Sequence, residues 1–272
     1  MFDCIHLVYT VFYLYKGVSG IAAAIQCKKR GHEAVIFEQS SELGGVWSSY
    51  HYDGLAIQNT YQQYCFADYP WPFQPSRHAT RNELLKYFGM TVDHFKLDLR
   101  LAHKVLALEE NKKGGWDVQY TKTENKRITE SESFDFLFIA TGQYGAHNFK
   151  KTSFPGENQF KGKILIERDV GSMIEFKDKR IVVVGNGKCA VDIASGFASV
   201  NKSASTFLLV RNPRWSIPDY LLELFDYTLI LFTRFGTVMM VSWAHPTWLE
   251  TFIHSAGSFI IKAFWVLLGI IS

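Results

Sequence analysis

Residues 181–194 have the sequence IVVVGNGKCAVDIA, in which a short β-branched run opens directly into a glycine turn and then into a helix-forming segment. A strand that turns sharply into a helix presents free backbone N–H groups and the positive end of the helix dipole, and together they bind phosphate. Glycines in such a turn let the backbone approach a dinucleotide pyrophosphate without an intervening Cβ. The stretch therefore predicts a strand over 181–184, a dinucleotide turn, and a helix over about 190–198.

A second copy of this pattern lies near the N-terminus. An apolar run over 7–15 leads into Gly17-Val18-Ser19-Gly20, and a helical pattern and a short buried strand over 33–37 follow. Glu38 ends this strand 21 residues after Gly17, where an acid accepts hydrogen bonds from the adenosine ribose hydroxyls. The turn departs from the G-x-G-x-x-G pattern because Tyr15 stands where the leading glycine is expected. The sequence therefore predicts an α/β fold with two Rossmann-like dinucleotide-binding units, each built on a doubly wound parallel sheet.

The two units differ in the residue that ends their second strand. The strand predicted over 206–210 ends at Arg211, which lies 24 residues after Gly187. Arginine holds a 2′-phosphate with a planar fork of donors, so this position favours NADP, whereas Glu38 favours a free ribose. The alternative interpretation of Arg211 is a solvated loop cation beside Arg214.

The segment between the units has another organisation. We predict one helix and three strands in it, over 82–94, 105–109, 116–121 and 134–140. A turn-rich connector joins the first two of these strands as a hairpin. Pro155-Gly156 is typical of a linker into the second unit.

Composition excludes several classes of protein. Apolar residues make up 47% of the chain and charged residues 20%, which is enough to bury a core. The net charge of +3 is small and dispersed, so we predict no nucleic-acid partner. The four cysteines have neither metal-ligand spacing nor a disulfide pattern, and we predict no metal site.

The C-terminal part of the chain is poor in charge. Residues 215–272 contain six charged side chains, and the longest uncharged run, 235–249, is shorter than the roughly 18 residues that a membrane span needs. Two interpretations stay open for this part. One is a lid or substrate channel that packs on other protein, and the other is attachment to a membrane surface through Trp243, Trp248 and Trp265.

Further motifs accompany the two glycine turns. They are Gly44-Gly45-Val46-Trp47, Ile57-Gln58-Asn59-Thr60 followed by Phe66-Ala67-Asp68-Tyr69-Pro70, Ala140-Thr141-Gly142, and Asp192-Ile193-Ala194. As an ordered set over about residues 17–218, they resemble the flavin-containing monooxygenases. The family signature F-x-G-x-x-x-H is present as Phe160 and Gly162 with Ile166 in place of the histidine, and residues 1–16 differ from the family's first strand.

The resemblance implies FAD at the first turn and NADPH at the second. The cofactor-binding residues that it implies are Gly17, Val18, Ser19, Gly20, Glu38, Gly45, Val46, Trp47, Gln58, Thr60, Thr141, Gly142, Gly185, Gly187, Cys189, Ala190, Asp192 and Arg211. It makes Asn59 the candidate catalytic residue, which steadies the flavin peroxide and the retained NADP⁺. The alternative for Asn59 is an asparagine that fixes the turn before Tyr61.

The activity that the resemblance implies is FAD- and NADPH-dependent oxygenation of soft nitrogen or sulfur centres through a C4a-hydroperoxyflavin. The partners would be a small-molecule amine or sulfide and O₂, and the cofactor would carry the chemistry without a catalytic triad. Two alternatives stay open: a Baeyer-Villiger-type oxygenase, and a catalytically inactive FAD/NADP-binding remnant that acts as a binding module. Tyr15 and Ile166 favour the remnant.

The resemblance also divides the chain into domains. Residues 1–155 are expected to form the N-terminal part of an FAD-binding domain, 156–218 the first part of an NADP-binding domain, and 219–272 an apolar, mainly helical segment. Members of the family continue well past this length, so we expect the chain to be incomplete at its C-terminus. We expect a cytoplasmic protein, peripheral to the cytosolic face of the endoplasmic reticulum membrane.

Overall fold

The computed structural model describes residues 17–49, 51–142, 153–202, 204–212, 220–221, 225–226, 247–259, 262–263 and 266. The chain divides into two compact units, Met1–Val210 and Arg211–Ser272. Within the larger unit we call residues 17–142 the first half and residues 153–210 the second half. The apolar run over 7–15, which leads into the first glycine turn, lies outside the described residues.

The first half begins with a helix and a parallel strand pair. Helix α1 (Val18–Lys29) starts at Gly17 and buries an apolar face against the core. Strand β1 (Val35–Phe37) is buried throughout and pairs in parallel with β2 (Asp98–Arg100). The prediction of a helix followed by a buried strand is confirmed, with a shorter strand than expected.

Two further helices of the first half pack against each other, and the longer one also packs against α1. Helix α2 (Val46–Ser49) is a single turn, and α3 (Arg81–Phe95) is long and amphipathic. Thr80 and Glu83 cap α3 reciprocally, which satisfies backbone donors that the helix itself leaves free. The helix predicted over 82–94 is confirmed, and its buried face supplies the core with Leu84, Tyr87, Phe88 and Thr91.

An antiparallel sheet is inserted after β2. It has the order β3 (His103–Glu110), β4 (Trp116–Lys122) and β5 (Asn125–Phe134). The hairpin predicted for the first two strands is confirmed, and Asn111 closes its turn by accepting hydrogen bonds from the backbone N–H groups of Lys113 and Gly115 at 3.0 Å.

The third strand was predicted in the wrong place. We expected it over 134–140, but β5 ends at Phe134 and pairs with β4 along its length. Beyond a bridge at Leu137, the described chain has no strand over 135–140. Phe136, Phe138 and Ile139 are exposed there, and a strand forms only where a ladder partner lies beside it.

The second half repeats the strand–turn–helix pattern. Strand β6 (Ile181–Val184) and β7 (Thr206–Leu209) pair in parallel over their full lengths, and α4 (Lys188–Val200) connects them. These elements confirm the predictions from 181–194 and 206–210. The α/β class is confirmed, and each parallel sheet has two strands in the described part of the chain.

A cluster of apolar side chains joins the two halves. Tyr52 and Leu55 of the first half pack with four residues of the second half, Val170, Met173, Ile193 and Phe197. The backbone adds a parallel bridge between Tyr52 and Gly171. We call these six side chains the joining cluster, and they fix α4 against the first half.

The smaller unit, Arg211–Ser272, contains a short antiparallel pair and a helix among its described residues. The pair is β8 (Tyr220–Leu221) with β9 (Phe225–Asp226), and the helix is α5 (Trp248–Ala256). Of the helices described, none has the length and apolar character to cross a membrane. Most of the predicted helical segment over 219–272 lies outside the described residues, so its helical character stays a prediction.

Candidate functional site

The first turn is built by the start of α1. Gly17 is the N-cap in an extended conformation, and no acidic side chain lies in the first helical turn. Val18, Ser19 and Gly20 follow it, and Gly20 is buried against the core while Ser19 is exposed. The first N–H groups of a helix have no partner within the helix, so this end of α1 is suited to bind an anion.

Glu38 lies directly after β1, at the carboxyl end of the parallel strand pair. Its side chain is 1% exposed, and one carboxylate oxygen accepts a hydrogen bond from the Ser40 backbone N–H at 2.7 Å. Its backbone N–H donates to the Arg100 carbonyl at 3.0 Å, and its carbonyl accepts a hydrogen bond from the His103 N–H at 2.8 Å. A buried carboxylate held this firmly is the kind of acceptor that a ribose hydroxyl needs.

The G-G-x-W segment forms a tight turn into α2. Gly44 and Gly45 have φ values of 126° and 61°, a backbone conformation that residues with a side chain rarely adopt. Trp47 follows with Val46 in α2, and its indole N–H donates to the Tyr64 hydroxyl at 2.9 Å. Burial raises the pKa of Tyr64, so its hydroxyl stays protonated.

Arg81 fixes the same segment from α3. Its guanidinium donates from Nε to the Trp47 carbonyl at 2.8 Å and from Nη2 to the Ser48 carbonyl at 3.3 Å. These carbonyls belong to the end of α2, where helix carbonyls lack internal partners. Trp47 is therefore held through its ring and through its backbone.

The loop that carries Asn59 is pinned at both ends. The Ile57 N–H donates to Ala79 at 3.0 Å, and the Tyr61 N–H donates to Arg77 at 2.9 Å. Gln58 and Asn59 are exposed and Thr60 is buried, while the Asn59 carbonyl lies 3.1 Å from His78 Nδ1. The exposed amide suits a ligand contact and the loop position suits a turn asparagine, so the catalytic role of Asn59 stays a prediction.

The A-T-G motif ends the described stretch of the first half. Thr141 is partly buried, and Gly142 is exposed with a φ of 76°. Only glycine adopts this backbone conformation readily. Their contact with a cofactor stays a prediction.

The second turn connects β6 to α4. Gly185 has a φ of 145°, and a Cβ there would lie 3.2 Å from the Cβ of Ala190. Gly187 is the N-cap of α4, and a Cβ there would meet no atom of the described residues within 4 Å. No acidic side chain lies in the first turn of α4, so the turn combines open space with free N–H groups.

A polar cluster lies beside this turn. The Tyr52 hydroxyl donates to Asp192 Oδ2 at 3.2 Å, and Lys188 Nζ forms an ion pair with the same oxygen. Burial, reinforced by Cys189 and Asp192, raises the pKa of Tyr52. Its hydroxyl is therefore a permanent donor, and the cluster spans the two halves.

Arg211 is exposed and begins the smaller compact unit, two residues after the end of β7. Its contact with a 2′-phosphate stays a prediction. Within the ranges that the structure describes, no group of three or more His, Cys, Asp or Glu residues is arranged to hold a metal ion.

Four residues of the site were missed by sequence reasoning: Tyr52, Tyr64, Arg81 and Lys188. Lys188 stands inside the quoted glycine turn, so its charge beside a phosphate-binding motif was a usable signal. The partners of Tyr52, Tyr64 and Arg81 are 140, 17 and 34 residues away in sequence, and no local pattern marks them.

Comparison with known proteins identifies a family. The sequence matches the model of the flavin-binding monooxygenase-like family over residues 10–255. Flavin-containing monooxygenase 3 of Macaca mulatta is 30% identical over 82% of this chain and 44% of its own length. Flavin-containing monooxygenase 1 of Homo sapiens is 29% identical over 86% of this chain and 46% of its own length. The chain thus spans less than half the length of these curated relatives.

Solved structures agree on the fold. S-allyl-L-cysteine S-oxygenase from Allium sativum has a TM-score of 0.64 at 21% identity, over 79% of this chain and 54% of its own. An oxidized steroid monooxygenase bound to NADP has a TM-score of 0.62 at 25% identity, over 78% of this chain and 40% of its own.

Tyr64→Phe should destabilise the protein because it leaves the Trp47 indole N–H without its acceptor. We expect a loss of about 1 kcal/mol in the free energy of unfolding, measured by urea denaturation. Tyr61→Phe is the matched control, since its hydroxyl lies 3.5 Å from Gln74 Oε1 and the bond is weak. An equal loss in both variants would contradict the anchoring role of Tyr64.

Proposed function

Because the chain belongs to the flavin-binding monooxygenase-like family, we propose that it is a monooxygenase that binds FAD at the first turn and NADPH at the second. It oxygenates soft nitrogen or sulfur centres of small amines or sulfides with O₂. The cofactors of the family are FAD and NADPH. The observation that carries the proposal is a pair of helices, α1 and α4, each N-capped by a glycine without an acid in its first turn, within one compact unit.

The residues of the first half fit FAD. The N-terminus of α1 offers backbone donors for the pyrophosphate, and buried Glu38 offers a carboxylate for the ribose at the end of β1. Trp47 is fixed by Tyr64 and Arg81, as expected of an aromatic that borders a planar ring. Each group has the charge or shape that the corresponding part of FAD requires.

The residues of the second half fit NADPH. The open space at Gly187 admits a phosphate, and α4 contributes the positive end of its dipole. Arg211 supplies a planar fork for the 2′-phosphate. This assignment of Arg211 derives from its position after β7.

FAD, when bound, supplies electron transfer and oxygen activation, so the chain itself has to bind, orient and exclude water. Asn59 offers an exposed amide with both a donor and an acceptor. In the proposed function this amide would hydrogen-bond to the flavin and to the nicotinamide where the two rings meet. Trp47 and the aromatic residues around Tyr87 belong to one apolar cluster, which could exclude water from this part of the chain.

Sulfur or nitrogen oxygenation is supported by the curated relatives, which are named flavin-containing monooxygenases, and by the garlic S-oxygenase, which has the same fold. The steroid monooxygenase supports a competing candidate, oxygenation of a ketone in the Baeyer-Villiger manner. Ile166 in the family signature does not distinguish the two candidates.

The full 272-residue chain tests the proposal directly. The purified protein, supplied with FAD, should show flavin absorption bands, consume NADPH and O₂, and convert a thioether to its sulfoxide. A cyclic ketone is the matched alternative substrate, and ester formation in its place would favour the competing candidate. A protein that stays colourless after FAD is added would refute the enzyme and indicate a remnant without flavin.

Arg211→Ala should weaken NADPH binding about tenfold to hundredfold and leave NADH binding nearly unchanged. The reason is that only NADPH carries the 2′-phosphate, and charge-assisted hydrogen bonds to it contribute about 1.5–3 kcal/mol. Dissociation constants from calorimetry measure the effect, and Arg214→Ala is the control for loss of one nearby positive charge. Equal weakening of both nucleotides would refute a phosphate contact.

We also propose that the protein is cytoplasmic and attaches to the cytosolic face of the endoplasmic reticulum membrane through its C-terminal part. Trp248 and Phe252 of α5 are 81% and 61% exposed and are four residues apart, so they share one helix face.

Phe252→Ala should reduce co-sedimentation with anionic vesicles about tenfold, because it removes apolar surface from this face. Phe154→Ala, at a 46% exposed position, is the control, and an equal effect there would contradict the proposal.

A further inference from the structure

Lys188 occupies a position that the stability of α4 does not explain. It is the first residue of the helix after its N-cap Gly187, and a cation there is repelled by the positive end of the helix dipole. Its ion pair with Asp192 runs from the cation to the acid along the chain, which is the less favourable order for residues four apart. A lysine at this point gains more from a bound anion than from the helix.

The ammonium of Lys188 is held by Asp192 within the first turns of α4. Its side chain is 27% exposed and that of Asp192 is 25% exposed, so the pair is sheltered more than an ordinary surface pair. Gly187 precedes it, and a Cβ there would meet no described atom within 4 Å. Lys188 is thus the residue that directly follows space that a phosphate group can enter.

Asp192 has a second partner, which comes from the other half of the unit. The Tyr52 hydroxyl donates to the same Oδ2 that Lys188 contacts. Burial raises the pKa of Tyr52, so this donor is not lost near neutral pH. Asp192 consequently keeps a hydrogen bond if Lys188 turns away from it.

Tyr52 is itself rigidly placed. Its ring is 5% exposed and lies in the joining cluster. Next to it, the Asp53 carboxylate accepts hydrogen bonds from the Met173 N–H at 2.8 Å and the Ser172 hydroxyl at 3.1 Å. The position of Asp192 is therefore set by the segment that follows Trp47 in the first half.

We propose that Lys188 binds the pyrophosphate of NADPH by exchanging Asp192 for phosphate oxygens, and that Tyr52 is the positioning residue that keeps Asp192 hydrogen-bonded and in place when Lys188 leaves it. The inference rests on the proposed NADPH site and adds two residues to it. The exchange leaves both charged groups hydrogen-bonded, because Asp192 retains the Tyr52 hydroxyl while Lys188 gains a phosphate. It also makes nucleotide binding in the second half depend on a hydroxyl of the first half.

Calorimetric binding of NADPH, NADH and inorganic pyrophosphate to the full chain tests Lys188 without reference to turnover. Lys188→Gln should weaken all three about tenfold to hundredfold and by a similar factor, because all three share the pyrophosphate. Lys188→Arg should restore binding to within a few-fold, since it keeps the charge. This pattern differs from that of Arg211→Ala, which is expected to affect NADPH alone.

Tyr52→Phe keeps the ring of the joining cluster and removes the hydroxyl. It should weaken NADH several-fold in the otherwise unchanged chain and should have no further effect in the Lys188→Gln chain. A role in packing alone would weaken binding equally in both backgrounds, because it would not act through Lys188. Thermal melting of each variant reports its folding separately.

Each result decides one element of the proposal. If Lys188→Gln binds NADH and pyrophosphate as well as the unchanged chain does, the phosphate role of Lys188 is overturned while the NADPH site stands. Equal effects of Tyr52→Phe in the two backgrounds overturn the positioning role of Tyr52. If the unchanged chain binds none of the three probes, the NADPH site and this inference both fail.

Discussion

The placement of α4, and of the second glycine turn at its start, depends on the burial of Tyr52 between the two halves of the larger unit. Its ring packs in the joining cluster, and burial of an aromatic side chain of this size stabilises a fold by about 1.5–3 kcal/mol. A buried phenol needs a partner for its hydroxyl, and Asp192 on α4 is that partner. The same side chain thus supplies apolar packing between the halves and a polar contact at the start of α4.

The N-termini of α1 and α4 are both suited to bind an anion, but the charged side chains that accompany them differ. Both α1 and α4 start at a glycine with no acid in the first turn, so both ends are suited to anions. The buried carboxylate of Glu38 follows β1, and Lys188 is the first residue of α4. In the proposed function, Glu38 would accept from the free ribose of one dinucleotide, and Arg211 would bind the 2′-phosphate of the other.

Local patterns in the sequence predicted helices α1, α3 and α4 and the parallel strands β1, β6 and β7, but not the short helix α2 or strand β2. Helices α1, α3 and α4 follow from apolar periodicity and from their capping residues, and β6 follows from its β-branched run. Such signals lie within a few residues of one another, so they need no knowledge of tertiary contacts.

The remaining features depend on contacts that are distant in sequence. Strand β5 has a polar sequence, and it is a strand because β4 offers a ladder partner. The apolar run after it predicted a strand, but apart from a bridge at Leu137 no ladder partner lies beside it among the described residues, and Phe136, Phe138 and Ile139 are exposed. In the site, the partner of Tyr52 is 140 residues away and that of Arg81 is 34 residues away, so neither role could be predicted from a motif.

The central claim is that one compact unit of this chain holds two dinucleotides at the N-termini of α1 and α4. A crystal structure of the chain grown with FAD and NADP⁺ tests it most directly. The account predicts one pyrophosphate at the Gly17 turn, beside Glu38, and a second at the Gly187 turn, within hydrogen-bonding distance of Lys188. Cofactor density at any other place, or density at neither turn with both cofactors in excess, would contradict it.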